Sequence, residues 1–128
     1  MAKILLVEDD PLVRDMLAQV LQKATHEVTA AADGEEAATI LKTTHPDIMV
    51  TDIIMPKKSG ITLISEVKNC HPEMEIIAIS GGGRLDPIGY LDLSENLGAS
   101  VSFEKPVDNT ALLMAIDLLL QGKKKVKA

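Results

Sequence analysis

Short apolar runs of strand length alternate along the chain with longer stretches whose apolar residues recur at helical spacing. Ile4-Leu5-Leu6-Val7 is the first run, and Asp10-Pro11 behind it supplies a helix N-cap and a first-turn proline. Leu12, Val13, Met16, Leu17, Val20 and Leu21 then mark one face of a helix reaching about Lys23. Glu27 to Ala31 predicts a second strand, with Val28 its one strong strand former. Asp33-Gly34 opens a helix through Ala37, Ala38 and Leu41, stopped before His45-Pro46. Ile48-Met49-Val50-Thr51 predicts the third strand and Met55 to Gly60 a loop. Ile61, Leu63, Ile64 and Val67 mark a helix that ends near His71-Pro72. Ile76-Ile77-Ala78-Ile79 is the fourth strand, followed by the pliable run Ser80-Gly81-Gly82-Gly83. Asp86-Pro87 opens the next helix and Gly98 closes it; Ser100 to Phe103 predicts a fifth strand and Asp108 to Leu120 a last helix.

Five strand-then-helix units imply a parallel sheet covered by helices on both faces, because a parallel crossover needs a helix-sized connection. The uninterrupted apolar strands agree, since a sheet wetted on one face would alternate. The expected fold is therefore α/β, a flavodoxin-like (βα)5 doubly wound sheet with strand order 2-1-3-4-5.

Composition narrows the function. The 128 residues suit one domain, expected over residues 1–121, with 122–128 a short basic C-terminal tail holding Lys123, Lys124, Lys125 and Lys127. A formal charge of −6 and 2% aromatic residues disfavour a phosphate backbone or stacked bases as partner, so no direct nucleic-acid contact is expected. The single Cys70 excludes an intrachain disulfide and suits a reducing compartment. Ala111 to Leu120, interrupted by Asp117, is too short to span a bilayer, and Met-Ala-Lys runs straight into a strand with no signal peptide. A cytoplasmic location is the expectation. His26, His45 and His71 lack metal-ligand spacing and are expected at the surface.

Ligands of open α/β sheets bind outside the carboxyl ends of the strands. Those ends carry Glu8-Asp9-Asp10, Asp52, Ser80 and Lys105-Pro106. In the expected order strands one and three are neighbours, about 4.8 Å apart, so their acids converge. Carboxylates so placed repel and rise in pKa unless a cation offsets them, and one or two carboxylates plus waters suit Mg²⁺. Ser80 can present a hydroxyl to the same pocket. Lys105, roughly 10 Å from strand three by sheet spacing, can reach it with its long stem. Metal and ammonium together stabilise a phosphoryl group, with Asp52 as the nucleophile.

Ile4-Leu5-Leu6-Val7-Glu8-Asp9-Asp10, Asp52-Ile53-Ile54-Met55-Pro56 and Glu104-Lys105-Pro106 resemble the signature of response-regulator receiver domains, as do Gly98-Ala99 and Asp33-Gly34-Glu35-Glu36-Ala37. The resemblance covers about residues 3 to 121 and points to a stand-alone, single-domain type. It implies that Asp52 is the phosphoacceptor, that Asp9 and Asp52 hold Mg²⁺ directly, and that Glu8 acts more through water. It further implies that the backbone carbonyl of Ile54 is a ligand, Ser80 the switch hydroxyl, Lys105 the phosphate contact, and Lys105-Pro106 a cis peptide. The implied donor is a phosphohistidine on a sensor histidine kinase or histidine phosphotransfer protein, met by the first helix and nearby loops. Output would pass to a downstream protein target through the surface of the fourth helix, fifth strand and fifth helix, where a homodimer can also form.

Two residues depart from that pattern. Ser102 stands where the family often has a switch Tyr or Phe, and Phe103, one place later, should face the other side of its strand. Gly81-Gly82-Gly83 makes the loop after the switch serine unusually pliable. Two other functions stay open at this point. A receiver-fold scaffold that is never phosphorylated is kept alive by Ser102. An aspartyl-nucleophile phosphatase is weaker, because it wants an acid two residues after the nucleophile, where Ile54 stands.

Overall fold

The computed structural model describes residues 2–55, 58–81 and 90–127, with side chains described except at 90–92 and 123–127. Five strands, β1 (Lys3–Val7), β2 (Glu27–Ala31), β3 (Ile48–Asp52), β4 (Glu75–Ser80) and β5 (Val101–Glu104), alternate with helices α1 (Pro11–Lys23), α2 (Gly34–Leu41), α3 (Gly60–Cys70), α4 (Tyr90–Leu97) and α5 (Asn109–Lys127). All pairings are parallel and the sheet order is β2-β1-β3-β4-β5, the order expected from the strand-helix alternation.

Strand alternation divides the core into two layers. Leu5, Val7, Met49, Ile76 and Ala78 face α2 and α3, meeting Ala37, Leu41, Leu63, Ile64 and Val67. Ile4, Leu6, Ile48, Val50, Ile77 and Ile79 face α1 and α5, meeting Leu17, Leu21, Leu112 and Ile116. This is why the central strands carry unbroken apolar runs, Ile48–Val50 in β3 and Ile76–Ile79 in β4: both their faces are covered.

Asp10 caps α1 by accepting from the Leu12 and Val13 amides, and Asp33 caps α2 by accepting from Glu36. The expected start of α4 at Asp86-Pro87 and the glycines at 82 and 83 lie outside the described residues. Three local readings need correction. α5 continues to Lys127 instead of ending at Leu120, so the stretch expected as a tail continues the helix; lysine is a good helix former and Gly122 meets no neighbour. β5 is shifted one residue, because Ser100 closes the turn by donating its amide to the Ile76 carbonyl. His26 is buried, where its Nδ1 accepts from the Ala2 amide at 3.1 Å and ties the chain's beginning to the α1–β2 turn.

Candidate functional site

The carboxyl ends of β1, β3 and β5 deliver Glu8, Asp52 and Lys105 to one place. Register explains the convergence: Val7 lies beside Thr51, and Asp52 beside Ile79, so each charged residue stands at or just past the edge of its strand. Glu8, Asp52 and Lys105 also share the alternation phase of Leu6, Val50 and Phe103, which places them on the α1/α5 side.

Lys105 Nζ donates to Asp52 Oδ2 at 2.9 Å and to Glu8 Oε1 at 3.3 Å. Glu8 Oε1 also accepts from the Asp10 amide at 3.1 Å. Arg14 Nη1 donates to the Glu8 carbonyl at 2.9 Å, a brace from α1 that no motif in the sequence signals. Glu8 Oε2 lies 3.2 Å from Lys105 Nζ, but the alignment makes no hydrogen bond and the oxygen, being buried, has no other partner among the described residues. Proximity there supplies attraction without satisfying the lone pairs.

The electrostatics follow from that arrangement. Burial, reinforced by the charge of Asp52, pushes the Glu8 carboxyl up to about 7, against the pull of the Asp10 amide and Lys105. Burial also raises Asp52, with the Lys105 hydrogen bond opposing and Asp9 adding to the rise. For Lys105, burial disfavours its charge, yet the hydrogen bond and charge of Asp52 and the charge of Glu8 outweigh it and raise its pKa. One ammonium therefore does not neutralise the pocket.

Asp9, exposed at the rim, completes a group of three: carboxylate oxygens of Glu8, Asp9 and Asp52 lie within 4.8 Å of one another. Oxygen donors, a surplus of negative charge and one buried unpartnered carboxylate oxygen fit a hard divalent cation such as Mg²⁺. Ile54 follows on the β3–α3 loop and is half exposed. Ser80 is fully buried at the end of β4, its carbonyl accepting from the Lys105 amide at 2.7 Å, while its hydroxyl has no partner among the described residues. Lys105-Pro106 is cis. Ser102 lies apart from the acids: its hydroxyl donates to Glu95 Oε2 of α4 at 2.6 Å, while Phe103 packs into the α1/α5 layer on the other face. Glu95 carries no motif, and only tertiary proximity reveals it.

The family model for the response regulator receiver domain matches residues 4–117. The chain belongs to the receiver domain family. It is the receiver domain of a response regulator in two-component signalling, a family of phosphoacceptor modules that typically use Mg²⁺ at this acidic pocket. It is similar to the transcriptional regulatory protein CpxR of Klebsiella pneumoniae, at 33% identity over 94% of this chain and 50% of that protein. It is also similar to the probable C4-dicarboxylate response regulator DctR of Bacillus subtilis, at 30% identity over 98% of this chain and 55% of that one. The receiver thus spans about half the length of these curated relatives. A solved receiver domain from Clostridium thermocellum superposes with a TM-score of 0.88 at 30% identity, over 98% of this chain and 99% of that one. Among the described residues, no helix is long and apolar enough to cross a membrane.

Proposed function

We propose that this receiver takes a phosphoryl group from a partner phosphohistidine onto Asp52, and that the phosphorylated form changes which protein it binds. The observation that carries this reading is the single junction of Lys105, Asp52 and Glu8, with Lys105 Nζ 2.9 Å from one Asp52 oxygen.

An Asp52 carboxylate oxygen bonds to phosphorus while the phosphorus–nitrogen bond to the donor imidazole breaks; the imidazole leaves with the electron pair and takes up a proton. Lys105 holds the Asp52 carboxylate and offers its ammonium to the incoming phosphoryl oxygens. Glu8, Asp9, Asp52 and the Ile54 carbonyl would hold Mg²⁺, which supplies charge stabilisation to the phosphoryl oxygens. The Ser80 hydroxyl, buried and without a partner among the described residues, can bond the new group, and a phosphorylated carboxylate brings enough charge to draw Ser80 and Lys105 inward.

A donor on a sensor histidine kinase or phosphotransfer protein fits the exposed Leu12 and Met16 on α1 and Ile54 beside the pocket. An output or homodimer surface fits the apolar groove of about 350 Å³ lined by Val101, Ala111, Met114 and Leu118. The chain then acts as a phosphoacceptor, with no other turnover than its own phosphorylation and dephosphorylation. Incubation with a small acyl phosphate and Mg²⁺ is expected to add one phosphoryl mass to the wild type and none to Asp52→Ala. Persistence of that mass in the variant would overturn the assignment.

A further inference from the structure

Among the described residues, the β3–α3 loop, which follows Asp52 and carries Ile54, is anchored by Ile53 and Met55 in the core, by backbone hydrogen bonds at its start and end, and by a contact with α2. At its start the Ile53 amide donates to the Ile79 carbonyl at 2.9 Å; at its end the Gly60 amide returns to the Ile53 carbonyl at 2.7 Å. A further support comes from a different part of the chain. Lys58 is pinned to α3 by its ammonium, 2.7 Å from Glu66 Oε2, while its backbone carbonyl rests on Gly34, the first residue of α2. A Cβ at position 34 would overlap that carbonyl oxygen and stand 2.8 Å from Lys58 Cβ and 3.0 Å from Lys58 Cγ. The backbone of Lys58 cannot turn aside as a side-chain end could, so the loop and the start of α2 would have to part.

We infer that Gly34 is a positioning residue for the metal-binding loop: the bare backbone at the start of α2 is the seat on which the loop between Asp52 and α3 lies. The three described heavy atoms nearest a Cβ at Gly34 all belong to Lys58, so its effect on the pocket would pass through that residue. The inference rests on the phosphoacceptor reading, because the loop matters through the Ile54 carbonyl and the Asp52 backbone. Gly60 is a second close approach, where a Cβ would overlap the Asp52 carbonyl oxygen and lie 2.6 Å from Ile53 Cα. A substitution there would strike the nucleophile's own strand and confound folding with positioning, so Gly34 is the cleaner probe.

Helix propensity and loop seating predict opposite signs. Alanine suits a helix better than glycine, so a role confined to α2 would make Gly34→Ala neutral or stabilising. Loop seating predicts weaker metal binding in a protein that still folds. The test is Mg²⁺ titration of the wild-type chain, Gly34→Ala and Gly122→Ala, followed by amide chemical shifts alongside thermal melts. Gly122 meets nothing within 4 Å and controls for the glycine-to-alanine change itself. The expected result is a Kd about tenfold weaker in Gly34→Ala, the size seen when supports behind metal ligands are removed, with no change in Gly122→Ala. A folded Gly34→Ala with the wild-type Kd overturns the inference. If Gly34→Ala does not fold, the wild type decides: Mg²⁺ must shift the Lys58 and Gly34 amides together, and a still Gly34 amide beside moving loop amides overturns it. Failure of the wild type to bind Mg²⁺ would instead strike the phosphoacceptor reading.

Discussion

Ser102 of β5 donates its hydroxyl to Glu95 of α4 at 2.6 Å, joining strand and helix at the position where receivers often carry an aromatic ring. Ala78 is the register partner of Ser102, and Glu104 that of Ser80, so by alternation the two serines lie on the same face of the β4–β5 pair. The link is polar and exposed, which makes it easy to exchange for water. Ser102→Ala is therefore expected to cost about 0.5–1 kcal/mol of stability. Faster amide exchange in α4, with the α1 amides unchanged, is the accompanying signature. Unchanged exchange in α4 would show that the contact does not hold the helix.

The Glu8 carboxyl gives the pocket a pH signature. Its folded pKa, about 7, stands above its ordinary 4.5, so folding favours the protonated form. The stability it contributes is complete below about 4.5 and is lost as pH rises through about 7. Glu8→Gln is expected to stabilise the metal-free protein at pH 8 by on the order of 2 kcal/mol relative to its effect at pH 4.5. Denaturant unfolding at the two pH values, without divalent ions, checks the difference. An equal effect at both would contradict the burial argument.

His26 works in the opposite direction. Burial and the positive N-terminus depress its pKa below 6.5, and Asp117 only partly restores it. Its neutral Nδ1 is the acceptor for the Ala2 amide. Its contribution is present above 6.5 and is lost as pH falls through the depressed value. In Glu8→Gln, which removes the competing carboxyl, stability is expected to fall between pH 7 and pH 5.5. Adding His26→Gln should flatten that slope, and a slope that survives the second change would rule His26 out as its source.

Lys105 is the only cation bonded to Asp52 among the described residues. Lys105→Ala leaves Glu8 and Asp52 facing each other without an ammonium and is expected to slow phosphorylation by a small donor about 100-fold. Rate measurement at saturating Mg²⁺ separates this loss from weakened metal binding. A rate within threefold of wild type would remove Lys105 from the chemistry.

Features carried by neighbouring residues were readable in the chain itself. The strand order follows from five strand-helix alternations, and β2 emerged at Glu27–Ala31 despite having Val28 as its one strong strand former. The acids at the strand ends were readable because parallel register places strand ends together wherever the strands begin in phase. Other contacts depend on residues distant in sequence meeting at one point. Gly34 beneath Lys58, Glu95 against Ser102, and His26 under Ala2 leave no periodic trace. The extension of α5 beyond Leu120 is hidden for a different reason: a run of lysines suits a solvated tail and a helix equally well.

The central claim is that Asp52 itself carries the phosphoryl group, and reductive trapping tests it most directly. Borohydride converts an acyl phosphate of aspartate to homoserine, so after treatment with a small acyl phosphate and Mg²⁺, peptide mapping should find homoserine at position 52 and nowhere else. Homoserine at Asp9 or another aspartate, or a phosphorylated protein that yields none, would contradict the account.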